Sequence, residues 1–283
     1  MRGSDPGTRL AMFNIKPKRQ NIIKILNYHP VPDGSFPKPG AESLPQWWRD
    51  MSPYGGYGGA PESNTAKIEF SSAGDYATIK RCIPVLDSML MGYIVTTVSE
   101  IYVLPFEGDM SASAASCPQE EFVLNSTYPV RLSGLPQSDI TWHEYGQALT
   151  HPLQQKYGQR MQKVYTPWLF MTPPGYSSII TNPLNNPNPY FEVVPGVMDT
   201  DVFFPKINFM LVYKDPKFHG IIPAGTPIAQ VIPFKRESWS SYISDAEEDR
   251  DEMVEKRSKI FSKLSTVFHA PYRKFFWSKK EFK

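Results

Sequence analysis

Proline and glycine interrupt this chain every few residues, which limits the length of any helix or strand. The 283 residues include 28 prolines and 18 glycines, and these leave little room for a long helix before residue 244. A proline inside a helix removes a backbone hydrogen bond and clashes with the preceding turn. Aromatic residues make up 13% of the chain and pack well on short, half-buried strands. The sequence therefore predicts a mainly β fold with long Pro/Gly-rich loops.

The composition excludes several classes of protein. A hydrophobic fraction of 41% supports a sizeable core, and 30 basic against 28 acidic residues give a net charge of +2, too small to attract nucleic acid or a membrane globally. Cys82 and Cys117 are too few for a disulfide framework and lack the spacing of a metal site. No apolar run approaches the roughly 18 residues that span a bilayer. We expect a protein without a membrane segment, located in the cytoplasm of a host cell or in a virion.

Three regions follow from changes in composition. Residues 1–20 are polar and without pattern, as expected of a flexible N-terminal arm or of vector residues. Residues 21–240 carry the strand patterns and are predicted to form the mainly β domain. Within it, strands are predicted at residues 21–26, 79–87, 92–97 and 207–213, with a short turn or a helical turn between the second and the third. Residues 244–283 are predicted to form a C-terminal helix and a basic aromatic tail.

The segment 172–234 contains three turn motifs in a fixed order. They are PPGYSS at residues 173–178, GVMDTD at 196–201 and GTPIAQ at 225–230. Each motif lies where a short strand is expected to turn, and apolar runs separate them. The only specific functional signal in the chain lies in this segment.

The order of these motifs resembles that of the dUTPase and dCTP-deaminase superfamily, whose members have a β-clip fold. The resemblance covers roughly a quarter of the chain. It implies that Asp199 orients a water molecule towards a phosphate, as a general base would. It also implies that Ser177, Ser178 and Gln230 lie near the phosphates of a nucleotide.

The chain departs from the family pattern at the positions that bind phosphate. The serine motif reads YSSI at residues 176–179 without its arginine, and Pro227 replaces the arginine of the last motif. Arg236 and a helix stand where a glycine-rich closing arm is expected. A triphosphate carries about four negative charges and needs fixed donors or a metal ion to offset them. These departures favour the interpretation that Asp199 and Asp201 only shape a tight turn through side-chain hydrogen bonds to the backbone.

Two functions therefore remain open. The first is a non-catalytic binding or assembly protein on a dUTPase-like β fold, which needs no cofactor; its richness in Pro, Tyr, Trp and Asn resembles that of phage and virus proteins. The alternative is a magnesium-dependent pyrophosphatase of deoxynucleoside triphosphates with Asp199 as the general base.

Other catalytic patterns are weak in this sequence. His143, Glu144 and His151 invite a metal site, but the two histidines are eight residues apart with Gly146 between them, which does not match a helical zinc motif. No serine lies in a nucleophile elbow. We expect no resident metal ion and no covalent catalysis.

The C-terminal region has the pattern of an amphipathic helix. The capping box SDAE at residues 244–247 opens a predicted helix over 245–268, with acidic residues first and basic residues last. Its apolar stripe packs either on its own domain or on a partner, and the basic aromatic tail after it docks on protein or stacks on single-stranded nucleic acid. The partner is predicted to be a second copy of the chain, a virion protein or a host protein. The predicted contact residues are Phe261, Phe268, Phe275, Phe276 and Trp277.

Overall fold

The computed structural model of the chain describes residues 21–27, 31, 33–55, 76–98, 100–103, 140–143, 145–148, 150–158, 161–203, 208–215, 218, 220–244, 246–265 and 271–283. The strands found there are β1 (Lys24–Asn27), β2 (Lys38–Pro39), β3 (Tyr54–Gly55), β4 (Tyr76–Ala77), β5 (Tyr93–Thr96), β6 (Ile101–Val103), β7 (Ile140–Trp142), β8 (Gln162–Tyr165), β9 (Trp168–Met171), β10 (Tyr176–Thr181), β11 (Phe191–Val193), β12 (Gly196–Met198), β13 (Asn208–Tyr213), β14 (Gly220–Ile222) and β15 (Pro227–Lys235). The α-helices are α1 (Gln46–Asp50), α2 (Ile83–Leu90), α3 (Tyr145–Ala148), α4 (Pro152–Tyr157), α5 (Glu247–Ser265) and α6 (Pro271–Phe275).

The strands pair antiparallel in several sheets. The largest has five strands in the order β12-β10-β15-β5-β2, and the next has four in the order β11-β13-β8-β7. Three two-stranded pairs accompany them, β1 with β9, β14 with β6 and β3 with β4. This architecture confirms the predicted mainly β class. The predicted strands at 21–26, 92–97 and 207–213 correspond to β1, β5 and β13, while the N-terminal arm at 1–20 lies outside the described residues.

Strand β15 occupies the centre of the five-stranded sheet, and its sequence reflects that position. Residues 228–232 are buried in succession, because a central strand is covered on both faces. Pro233 falls beyond the β5 pairing, which ends at Val231, so its missing N–H is not needed by a second neighbouring strand.

One hydrophobic core joins the two large sheets. It takes buried side chains from β15, β5 and β10 on one side and from β11, β13 and β8 on the other, together with the aromatic residues of β9. Among the largest buried side chains are Trp168, Phe170, Phe191 and Phe209. Burial of this apolar surface is the main stabilising contribution to the fold.

The proline-rich stretch after β2 is anchored by its tryptophans. Trp48 in α1 is buried, and the indole N–H of Trp47 donates to the carbonyl oxygen of Asn185 at 3.0 Å. These contacts tie a surface connection to the loop after β10.

The prediction of a strand at residues 79–87 is wrong. Residues 79–81 form a 3₁₀ turn and α2 covers Ile83–Leu90. The β-branched residues of this run favour a strand, but Pro84 lies in the first turn of the helix, where its fixed φ and missing N–H are well tolerated.

The C-terminal tail contacts α2 and β5. The indole N–H of Trp277 lies 2.9 and 3.0 Å from the two carboxylate oxygens of Asp87 in α2, and Lys280 Nζ lies 2.7 Å from the second of them. Phe282 stacks edge to face with Tyr93, whose hydroxyl donates to the carbonyl oxygen of Lys283. Before this tail, α5 is exposed along its described length. Among the described residues, no helix is long and apolar enough to span a membrane.

Gly92 connects α2 to β5 in a place where only glycine fits. Its φ is +67°, and a Cβ atom there would lie 2.1 Å from the backbone oxygen of Val231 in β15. Its carbonyl oxygen accepts a hydrogen bond from the N–H of Gly40 at 3.0 Å. A side chain at this position would therefore push β5 away from the central strand.

We predict that Gly92→Ala lowers the free energy of unfolding by about 3 kcal/mol or more, because left-handed strain and a backbone clash add together. Gly158 is the matched control, since its φ is +62° and nothing lies within 4 Å of its added Cβ. Gly158→Ala is expected to cost about 1 kcal/mol. Urea denaturation followed by circular dichroism measures both, and equal costs would contradict the clash.

Candidate functional site

The predicted site residues Ser177 and Asp199 meet at the start of β10. Ser177 lies near the beginning of β10, and Asp199 follows β12 directly, while the pairing of Ser178 with Met198 aligns the two strands. Ser177 Oγ donates to Asp199 Oδ1 at 2.6 Å. The structure therefore brings together two of the predicted residues in one chain.

Arg236 completes this group of side chains from the far end of β15. Because Lys235 lies opposite Tyr176, the next residue reaches the turn before β10, where the Arg236 N–H donates to the Gly175 carbonyl oxygen at 2.8 Å. Its guanidinium makes a bidentate pair with Asp201, in which Nη1 donates to Oδ1 at 2.8 Å and Nη2 donates to Oδ2. Nη1 also lies 3.0 Å from Ser177 Oγ and 3.3 Å from Asp199 Oδ1.

The two carboxylates of this cluster differ in their surroundings. The side chain of Asp201 is 3% exposed, whereas that of Asp199 is 57% exposed. The hydrogen bonds from Arg236 lower the pKa of Asp201 to about 2, and the Gly175 N–H, which donates to Oδ2 at 2.7 Å, acts in the same direction. In return, Asp201 raises the pKa of Arg236. Asp201 is thus an ionised, satisfied group, and Asp199 faces the solvent.

Thr200, between the two aspartates, holds the turn together. It is fully buried, and its Oγ1 lies 2.8 Å from Thr172 Oγ1 and 3.0 Å from Ser178 Oγ. The backbone closes the turn as well, since the N–H groups of Val202 and Phe203 both donate to the Asp199 carbonyl oxygen. Ser178 therefore serves this hydroxyl cluster inside the protein.

Gln230, the third predicted phosphate-binding residue, lies elsewhere. It pairs with Thr181, four residues along β10 from Ser177, or about 13 Å at the rise of a strand. Its amide is fully buried: Nε2 donates to the carbonyl oxygens of Ser88 and Met91 at 2.9 and 2.5 Å, and Oε1 accepts from the Leu184 N–H at 2.8 Å. Gln230 joins the end of α2 to the sheet and does not converge with Asp199 within this chain.

The charges of the cluster largely neutralise one another, so the cluster provides little positive charge for binding a polyanion. Arg236 already faces two carboxylates, so it reduces the negative charge of the turn without leaving a net positive charge. The same contacts do not fit a magnesium ion, because the guanidinium occupies the position between the carboxylates that a cation would take. Pro227, at the start of β15, donates no hydrogen bond.

The two histidines considered as metal ligands lie in different surroundings. His143 is buried and its backbone N–H donates to Met161 O at 2.9 Å, while His151 Nδ1 accepts from the Leu153 N–H at 3.2 Å and caps α4. Glu144 lies outside the described residues. Within the described ranges, no group of three or more His, Cys, Asp or Glu side chains is placed to hold a metal ion.

The predicted partner residues are in different environments. Phe261 in α5 is 55% exposed and Phe275 in α6 is also exposed, whereas Phe276 and Trp277 are half-buried. Trp277 contacts Asp87 of its own chain. Phe268 lies outside the described residues.

The sequence analysis places Arg236 after the last motif but does not predict its contacts with Asp199 and Asp201. The signal that could have found it is positional. Because β15 and β10 are antiparallel, the end of β15 lies beside the start of β10. An arginine directly after β15 therefore lies beside the turn that precedes β10. That inference requires the strand pairing, which the sequence does not state.

Comparison with protein-family models gives no match for this chain, and a search of curated proteins gives no match either.

We predict that Asp201→Asn lowers stability above about pH 4, and that the difference from the wild type narrows as the pH falls towards 2. The folded pKa of Asp201, about 2, is below its ordinary value of 3.8, so the ionised form stabilises the folded state and this contribution is lost on protonation. Urea denaturation at a series of pH values measures the difference. Asp33→Asn, in an exposed turn, is the control. A difference for Asp201→Asn that does not change with pH would contradict the role of the ion pair.

Proposed function

We propose that this protein is a non-catalytic binding or assembly protein, encoded by a phage or virus and built on a dUTPase-like β-clip fold. The observation that carries the proposal is the closure of Arg236 onto Asp199 and Asp201. The cluster keeps the carboxylate that the family uses for catalysis, and it satisfies that carboxylate from within the chain.

The order of turns and strands supports the β-clip part of the proposal. The turn at 173–176 leads into β10, the turn at 199–203 follows β12, and the turn at 223–226 leads into β15. These are the three motifs that resemble the superfamily, and the first two lie side by side because β10 pairs with β12.

The electrostatics of the cluster support the non-catalytic part. A nucleoside triphosphate requires several fixed donors, and charge-assisted donors such as arginine are the strongest. Arg236 would have to leave a bidentate pair with a nearly buried carboxylate before it could bind a phosphate. Breaking that pair leaves the nearly buried Asp201 carboxylate without its cation, and a phosphate, which is itself an anion and an acceptor, cannot take the place of that cation.

Exposed apolar side chains support the binding part. The segment between β15 and α5 has no regular secondary structure over residues 236–244 and presents Trp239, Tyr242 and Ile243, which are 87%, 83% and 99% exposed. Val202 and Phe203, beside Asp199, are exposed as well. Clusters of exposed aromatic and aliphatic groups are typical of protein interaction surfaces.

The alternative function, a magnesium-dependent deoxynucleoside triphosphate pyrophosphatase, is favoured by one observation. Asp199 is exposed and accepts a hydrogen bond from Ser177, so a carboxylate and a hydroxyl lie together at the protein surface. In that function Asp199 would act on water as the general base.

We predict that the wild-type protein, incubated with magnesium and each deoxynucleoside triphosphate, releases no more pyrophosphate than Asp199→Asn does. The reason is that the donors which would bind the phosphates are occupied. Anion-exchange chromatography of the nucleotides measures turnover, and a thermal shift measures binding. Turnover that appears with magnesium and disappears in Asp199→Asn, but not in Asp33→Asn, would overturn the proposal in favour of the pyrophosphatase.

A further inference from the structure

Helix α5 is exposed to solvent over its whole described surface. Every residue from 246 to 262 is exposed, including the apolar residues Met253, Val254, Ile260 and Phe261. A helix of this length is only marginally stable in water when no tertiary packing supports it. Four large apolar side chains in such a helix therefore point to a surface that is covered in the assembled protein.

The apolar residues lie on one face of the helix in two pairs, with Arg257 on the same face between them. Met253 and Ile260 are seven residues apart, as are Val254 and Phe261, and seven residues are nearly two helical turns. We refer to these four residues as the α5 stripe. Residues at this spacing lie on one face, which is the pattern through which two helices pack against each other.

The charges of α5 are divided between its two halves. Residues 247–255 contain six acidic residues and one basic residue, whereas residues 256–265 contain four basic residues and no acidic residue. Two exposed ion pairs join the halves at the middle of the helix, Lys256 with Glu252 and Lys259 with Glu255, the latter at 2.5 Å. The two ends of the helix therefore carry opposite charge.

Because of this division, two copies of the helix have complementary charges when they lie antiparallel. In an antiparallel pair, the acidic half of one helix lies beside the basic half of the other, and in a parallel pair like charges lie together. A pair centred near Lys256 places Asp249 of one chain opposite Lys263 of the other. The apolar residues of the two helices can face each other in a parallel or an antiparallel pair. The charges therefore determine which of the two orientations is favoured.

We propose that α5 is a homodimerisation helix that pairs antiparallel with α5 of a second copy through the α5 stripe. The occupant is a second copy of this chain because one surface supplies both halves of the complementary pattern, as a two-fold symmetric interface requires. This inference rests on the proposed assembly function and names its partner.

The first test measures mass in solution. We expect the full chain to have twice its monomer mass by light scattering after size exclusion, and Ile260→Glu combined with Phe261→Glu to reduce it twofold. Ser262→Glu is the control, because it adds a negative charge at the residue next to Phe261, about 100° around the helix from it. It is expected to remain a dimer. A monomer mass for the wild type would contradict the proposal, and so would a dimer mass that the stripe substitutions leave unchanged.

The second test determines orientation. With Cys82 and Cys117 replaced by serine, Asp249→Cys is prepared in one batch and Lys263→Cys in another, and a short bifunctional thiol reagent is added. The antiparallel arrangement predicts a cross-linked dimer when the batches are mixed, and little cross-linking in either batch alone. Cross-linking within the separate batches indicates parallel helices, and absence of cross-linking in the mixture also contradicts the proposal.

These outcomes are independent of the nucleotide assay. A monomer without nucleotide turnover removes the dimer but leaves a non-catalytic binding protein. A dimer that hydrolyses a nucleotide removes the proposed function but leaves the helix pairing.

Discussion

The antiparallel pairing of β10 with β15 is the contact on which the rest of the described structure depends. It joins six residue pairs, from Tyr176 with Lys235 to Thr181 with Gln230. At one end it brings Arg236 to the turn that precedes β10, and at the other it places Gln230 against the last carbonyls of α2. A slip of one residue would turn each side chain of β15 to the opposite face of the sheet. The cluster and the buried amide would then be lost together.

The same ion pair that stabilises the turn limits its chemistry. Asp201 is nearly buried, and a buried carboxylate is stable only when it is paired and hydrogen-bonded. Arg236 and the Gly175 N–H satisfy this requirement. The guanidinium cannot at the same time hold a phosphate, so stability of the turn and nucleotide chemistry compete for one group. The contacts within the chain already supply what the turn needs.

Periodicity predicted much of the fold, and tertiary contacts decided the remainder. The alternating and apolar runs gave β1 and β13, and the density of proline and glycine gave the β class. The strand prediction at residues 79–87 is wrong because Ile83 and Val85 favour a strand, whereas Pro84 is well tolerated in the first turn of α2, which local patterns do not indicate. The meeting of Ser177 with Asp199 agrees with the motif order. The contact of Arg236 with Asp201 spans 35 residues of sequence, and it depends on strand register, which local patterns do not determine.

The return of the tail to Asp87 has a consequence for α5. The chain leaves the five-stranded sheet after Arg236 and is attached to α2 through Trp277 and Lys280, so the helix belongs to a loop that is closed at both ends. Closing a loop restricts its ends before any partner arrives, and the entropy lost at that stage is not lost again on association. A helix carried in this way samples fewer orientations than one at a free terminus. The small contacts of the last seven residues therefore act as a tether that sets how far, and in which direction, α5 can reach.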